Sequence, residues 1–150
     1  MKYLVSFLTL LITDLVVKYA LNTSNIESIT LIPLFLDFYL TKNTGIALSL
    51  FSSSGTLTQI FLTITIFIAL MFLVYTFFTT VDKMQKIGLI LVLSGGFGNF
   101  IERLFFGSVT DYLHLRIGTN SLFVFNLAEL FITFGAIIII LVWLRDGRNV

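Results

Sequence analysis

Long apolar runs alternate along this chain with shorter mixed segments. Four of the runs can cross a hydrocarbon core of about 30 Å, for which roughly 20 helical residues suffice. They cover about residues 3–21, 57–78, 87–106 and 124–144. The first, Tyr3 to Leu21, is interrupted by Asp14 and Lys18. Lys2 ahead of an apolar run is also how a secretory signal begins. Asp14 inside the run, with no A-x-A site after it, instead predicts a retained helix. The pattern predicts an all-α integral membrane protein: four transmembrane helices in a single domain, residues 1–150.

The segments between runs are not alike. The connection 22–56 holds Ile29-Thr30-Leu31-Ile32, the single Pro33, and then Leu34 to Leu40, rich in strand-forming residues. Asn43-Thr44-Gly45 is placed as its turn. The connection 107–123 alternates through Val109, Asp111, Leu113 and Leu115, then turns at Gly118-Thr119-Asn120. Both are apolar enough to rest in the interface, which predicts a small extracytoplasmic β element on the membrane surface.

Composition narrows the chemistry. Of the residues, 57% are hydrophobic and 11% charged, and the mean hydropathy is +1.04. A soluble domain carries about 25% charged residues. A net charge of +1 gives no reason to expect nucleic acid. The absence of cysteine removes disulfides, thiolate nucleophiles and Cys-ligated metals, and the lone His114 removes multi-histidine metal sites. Four spans put both termini on one side. That side carries Lys2, Lys83, Lys86, Arg145 and Arg148, five of the nine basic residues. The positive-inside preference therefore leans toward cytoplasmic termini, and more firmly if Lys18, Lys42, Arg103 and Arg116 opposite belong to a site.

Four carboxylates stand in or at the ends of the spans: Asp14, Glu102, Asp111 and Glu129. An ionisable group in hydrocarbon costs roughly 2.5–3.5 kcal/mol on insertion scales and marks a functional site by default. Asp14 and Lys18 are four apart and can pair on one helix face; a snorkelling Lys18 neutralised by Asp14 explains them without function. Asn43 and Gly45 suit a hairpin turn, and an Asn amide there is equally a ligand for a peptide backbone. Gly95, Gly96 and Gly98 are a packing seam, and Asn99, Glu102 and Arg103 make the following helix end polar. Asn126 with Glu129 three residues on has capping-box spacing. The same Glu129 ends an element on the face that holds Asp111, where two carboxyls can share a proton. Such a pair supplies a base toward water and an acid toward a carbonyl, which is aspartic-peptidase chemistry.

Taken in order, these pieces resemble the lipoprotein signal peptidases (signal peptidase II), and the likeness covers nearly the whole chain. Asp14 with Lys18 resembles the D-x-x-x-K of the first helix, and Asn43-Thr44-Gly45-Ile46-Ala47 resembles N-x-G-A-A. The run from Gly95 through Arg103 resembles G-G-x-x-G-N-x-x-D-R, and Gly107, Val109 and Asp111 the following G-x-V-x-D. Phe125-Asn126-Leu127-Ala128 opens F-N-x-A-D. The resemblance implies an intramembrane peptidase of the bacterial inner membrane. Its substrate would be a prolipoprotein, cut just before a diacylglyceryl-modified cysteine. Asp111 and Glu129 would be the catalytic pair, and Asn43, Asn99, Arg103 and Asn126 would orient the pair and the substrate. Asp14, Lys18, Glu102 and the glycines Gly45, Gly95, Gly96 and Gly98 would support the structure. No metal or organic cofactor is implied, and the partners are the signal peptide and membrane lipids around a monomer.

Two positions depart from that pattern. Glu102 and Glu129 stand where the family has Asp, and each added methylene moves a carboxyl by up to about 1.5 Å, against a tolerance of about 0.5 Å in active constellations. A non-catalytic relative that binds lipidated segments is the competing reading; there Glu129 is a cap and Asp111 pairs with Arg103 or Arg116. A small ion carrier is a third, but residues 64–78 of the second span offer almost no polar path. His114 is expected to fill an interfacial polar gap rather than to tune Asp111.

Overall fold

The computed structural model describes residues 1–24, 26, 28–45 and 56–147. Its elements run α1 (Lys2–Asn22), β1 (Ser28–Ile32), β2 (Leu36–Asn43), α2 (Thr56–Thr79), α3 (Lys83–Phe106), β3 (Val109–Ile117), β4 (Asn120–Phe125) and α4 (Leu127–Asp146). All four helices are long and apolar enough to span a membrane. The last begins at Leu127, because Val124 and Phe125 complete β4.

Helix α3 is the centre of the bundle. Half of its most apolar window (50%) is buried inside the protein, against 11% for α1 and α2 and 17% for α4. Glycine explains how it packs so closely. A Cβ on Gly88 would lie 2.8 Å from the Gly135 carbonyl oxygen of α4, and one on Gly95 would collide with the Ala128 carbonyl. Without a hydrophobic drive between helices in lipid, such backbone approach is what holds spans together. Gly98 faces α1 instead, where a Cβ would strike the Asp14 carboxylate, and Gly96 faces Leu70 of α2.

The strands form one antiparallel sheet in the order β1-β2-β3-β4. The two connections are thus a single element, joined where Thr41 pairs with Asp111 and Asn43 with Val109. Its first turn lies at Pro33-Leu34-Phe35, with Leu34 at φ 69°, and not at Asn43-Thr44-Gly45. Pro33 stops the ladder one residue before the chain reverses. Asn43 ends β2 and makes a local turn of its own, its Oδ1 accepting the Gly45 N–H at 2.9 Å. Ile46 and Ala47 lie outside the described residues. Ile29, Leu31, Ile32, Leu34 and Phe35 are exposed on the β1–β2 hairpin, the apolar surface that an element resting in the interface requires.

Candidate active site

The turn after α3 determines where β3 starts. Gly107 closes the helix in the left-handed region, φ 69°, its N–H bonded to the Arg103 carbonyl at 2.8 Å. The chain then doubles back over the helix end, and Val109, Thr110, Asp111 and Tyr112 are all buried. Glu102 locks that return. Its Oε2 accepts the Thr110 N–H at 2.9 Å and its Oε1 accepts the Thr110 hydroxyl. The next residue is Asp111.

Asp111 is 2% exposed and lies between two amides. Asn126 Nδ2 donates to its Oδ1 at 2.6 Å and Asn43 Nδ2 to its Oδ2 at 2.8 Å. Burial raises its pKa above the ordinary aspartate value, while the two amide donors and the Lys18 charge pull the other way. Among the described residues it has no ion pair. Arg116 is bound to Asp37 at 2.7 Å, and Arg103 donates to the Thr44 carbonyl at 3.3 Å and to the Gly45 carbonyl. The pairing of Asp111 with either arginine is therefore not found.

Asn126 links this carboxylate to the last helix. Its Oδ1 caps α4 by accepting the Glu129 N–H at 2.9 Å. This is half of a capping box. The reciprocal bond, from the Asn126 N–H to the Glu129 carboxylate, is absent, and among the described residues the carboxylate has no hydrogen-bond donor. It faces instead a cavity of about 440 Å³, also lined by Asn43, Gly45, Gly96, Asn99, Phe100 and Arg103. Asp111 stands just behind that wall, held by Asn43. The cavity walls are otherwise mostly apolar: Ile66, Val109, Phe123, Val124 and Ile132.

Behind the site lies a second layer of charge. Lys18 is 2% exposed and Asp14 fully buried. Lys18 Nζ donates to Asn99 Oδ1 at 2.6 Å and pairs with Asp14 at 2.8 Å and Glu102 at 3.5 Å. Asp14 Oδ1 accepts the Ala128 N–H at 3.1 Å, so α1 fixes the start of α4. Lys42 approaches Glu102 at 3.6 Å and donates to the Thr110 hydroxyl at 2.7 Å. Two acids and two lysines thus make a neutral group, as low dielectric demands.

The structure brings Asn43, Asp111 and Asn126 into direct contact and sets Asn99, Arg103 and Glu129 around one cavity. Asp14, Lys18, Glu102 and Gly98 lie beneath. His114 points elsewhere, to Ser121 at 2.7 Å and Asp37 at 3.6 Å. Thr110 and Tyr112 were not anticipated. The Tyr112 hydroxyl, pushed up to about 12 by burial, accepts the Leu127 N–H at 3.1 Å and so supports the same helix start. Among the described residues no three His, Asp or Glu side chains converge as a metal site needs.

Solved structures of bacterial membrane enzymes share this fold. One, described as a bacterial membrane enzyme, superposes with a TM-score of 0.86 at 31% identity, covering 99% of this chain and 90% of the other. A second gives a TM-score of 0.82, again at 31% identity, over 97% and 94% of the two chains. Residues 6–145 match the family described as Signal peptidase (SPase) II, and the chain belongs to that family. The lipoprotein signal peptidase of Bartonella bacilliformis is 37% identical over 97% of this chain and 92% of its own length. That of Moorella thermoacetica is 36% identical over 93% and 90%.

Proposed function

We propose that this protein removes the signal peptide from diacylglyceryl-modified prolipoproteins, with Asp111 and Glu129 as its catalytic pair. The observation that carries the reading is the unfinished capping box. Asn126 uses one end of its amide to cap α4 and the other to hold Asp111, and the Glu129 carboxylate is left directed into the cavity. A cap alone gives no reason for that arrangement.

The arrangement supports the following chemistry. Asp111, with both oxygens receiving amide donors, is kept oriented and able to accept a proton from a water in the cavity. The water oxygen attacks the scissile carbonyl carbon while protonated Glu129 donates a hydrogen bond to the carbonyl oxygen. Collapse of the tetrahedral species breaks the C–N bond, and a proton from the pair leaves with the amine. The pair ends with one proton, as it began. Asn43, Asn99 and Arg103 flank the space a peptide backbone would occupy, and the apolar walls suit acyl chains.

The same reading places the termini in the cytoplasm and the site near the opposite face of the bacterial inner membrane, in a monomer. The four cations on the site side support it. Lys18, Lys42, Arg103 and Arg116 each have acceptors in the structure, which leaves the positive charge at the other end to set topology. Gel-shift processing of a diacylglyceryl prolipoprotein by purified protein in lipid tests the function. Cleavage by wild type that vanishes in Asp111→Asn is expected. Unchanged processing by both Asp111→Asn and Glu129→Gln would sink the pair, and intact substrate binding by a folded wild type that never cleaves would favour a non-catalytic relative.

A further inference from the structure

At the end of the bundle where α1 and α3 begin, far along α3 from Asp111, a groove of about 410 Å³ opens between α1, α2 and α3. Its walls are apolar, formed by Leu4, Phe7, Val74, Phe78 and Phe97. A neighbouring pocket of about 360 Å³ shares Tyr3 and Ile90 with it and adds Lys2 and Lys83. Lys86 completes a cationic rim: its ammonium lies 5.4 Å from the Phe77 ring centroid and 6.0 Å from that of Tyr3, and Lys2 lies 5.2 Å from Tyr3.

Nothing acidic answers these lysines. The acids at this end are Asp82, which caps α3 through the Gln85 N–H at 2.7 Å and binds Arg145 at 2.9 Å, and Asp146, also on Arg145 at 2.9 Å. Among the described residues Lys2, Lys83 and Lys86 have no carboxylate within 4.0 Å. Helices α1 and α3 both begin here, and helix N-termini add positive partial charge at the same mouth. Topology alone asks only for positive charge at this end. It does not ask for lysines gathered around two rings at the lip of an apolar groove.

We infer that this groove seats an anionic phospholipid of the adjacent leaflet, its phosphate among Lys2, Lys83 and Lys86 and an acyl chain between α1 and α2. The charge complementarity and the apolar walls fix both halves of the ligand. Its lysine rim lies at the other end of α3 from the cavity under the sheet, although Phe97 at its deep end packs against Phe100 of that cavity; the inference does not depend on the peptidase reading.

Native mass spectrometry of the full chain in detergent, titrated with phosphatidylglycerol and separately with phosphatidylcholine, tests it. A lysine beside an anionic headgroup contributes about fivefold in affinity. Wild type should retain phosphatidylglycerol over phosphatidylcholine, and Lys86→Gln should lose about fivefold of that preference. The triple Lys2→Gln/Lys83→Gln/Lys86→Gln variant should lose on the order of a hundredfold, and Lys86→Arg should keep it. Val74→Trp fills the groove without changing charge and should weaken both lipids. Leu4→Trp on the more exposed wall does the same if the first variant does not fold. Equal retention of the two lipids by wild type overturns the inference, as does full preference in the triple variant. Groove-filling variants that bind normally overturn it too, reducing the effect to diffuse charge. Displacement of the lipid by glycerol phosphate would replace the lipid seat with a site for free phosphate.

Discussion

Asp14, Lys18 and Glu102 on the helices and Asp37, Arg116 and His114 on the sheet form two networks with acid–base distances of 2.7–3.6 Å. Their surroundings differ. In the first, side chains are at most 5% exposed, and the ammonium lies within ion-pair distance of both acids and donates to Asn99. In the second, side chains are 15–23% exposed, and solvent screens the charges. The lesson concerns what each network is for. A buried group of charges contributes little net stability against an apolar replacement, but losing one member is expensive. Its members also touch the two places that aim the site, Thr110 before Asp111 and Ala128 before Glu129. The outer network touches neither.

The comparison is broken most severely at the proposed pair, Asp111 and Glu129, which stand beside the inner network. Glu129→Gln should lower processing by about 10²–10⁴-fold, the usual weight of acid–base catalysis, with the melting temperature unchanged. Glu129→Asp should keep or raise activity. Lys18→Met leaves Asp14 without a cation and Glu102 with the half-exposed Lys42 alone, and should cost about 3–5 kcal/mol, read by thermal unfolding in detergent. The double Asp14→Leu/Lys18→Met variant should cost less than the sum of the single changes, because each single change strands a charge that the double removes. Gly98→Ala puts a methyl against the Asp14 carboxylate and should destabilise by about 1–3 kcal/mol, the usual range for overpacking.

The smallest effect belongs to the outer network. Burial pushes the Asp37 carboxyl up, but bonds from Arg116 and Thr30 and the nearby positive charge hold it below its ordinary 3.8. A depressed acid stabilises the folded state above its unfolded value, and that contribution is lost as pH falls through the folded one. The small melting difference between wild type and Asp37→Asn should therefore persist at neutral pH and vanish on acidification below 3.8. A difference as large as that of Lys18→Met would erase the distinction between the networks.

Much of this was legible in the sequence, for physical reasons. Spans announce themselves because a bilayer tolerates few polar groups, so Asp14 and Glu129 stood out against their runs. Glycine at Gly95 and Gly98 signalled close approach, although which helix each would meet was not written in spacing: Gly95 meets α4 and Gly98 meets α1. The partners Gly88 and Gly135 carried the same small-residue signal and were passed over. Strand-rich connections predicted a sheet, but not that Thr41 would pair with Asp111 across the bundle. That pairing is long-range, and alternation records only faces. Thr110 had no signal at all, because its role comes from standing beside Asp111 where Glu102 can reach.

The bond from the Ala128 N–H to Asp14 joins residues 114 positions apart. A chain synthesised from its N-terminus commits α1 to the bilayer long before α4 exists. Throughout that interval the lasting companion for Asp14 is Lys18, four residues on, and the two must shelter each other in lipid. Thr110 and Asp111 arrive with the third span complete, and Asn126 and Ala128 only as the fourth begins. The protein is therefore assembled around a charge waiting for a helix not yet translated, and a nascent chain halted before α4 carries a buried acid with no helix start to hold.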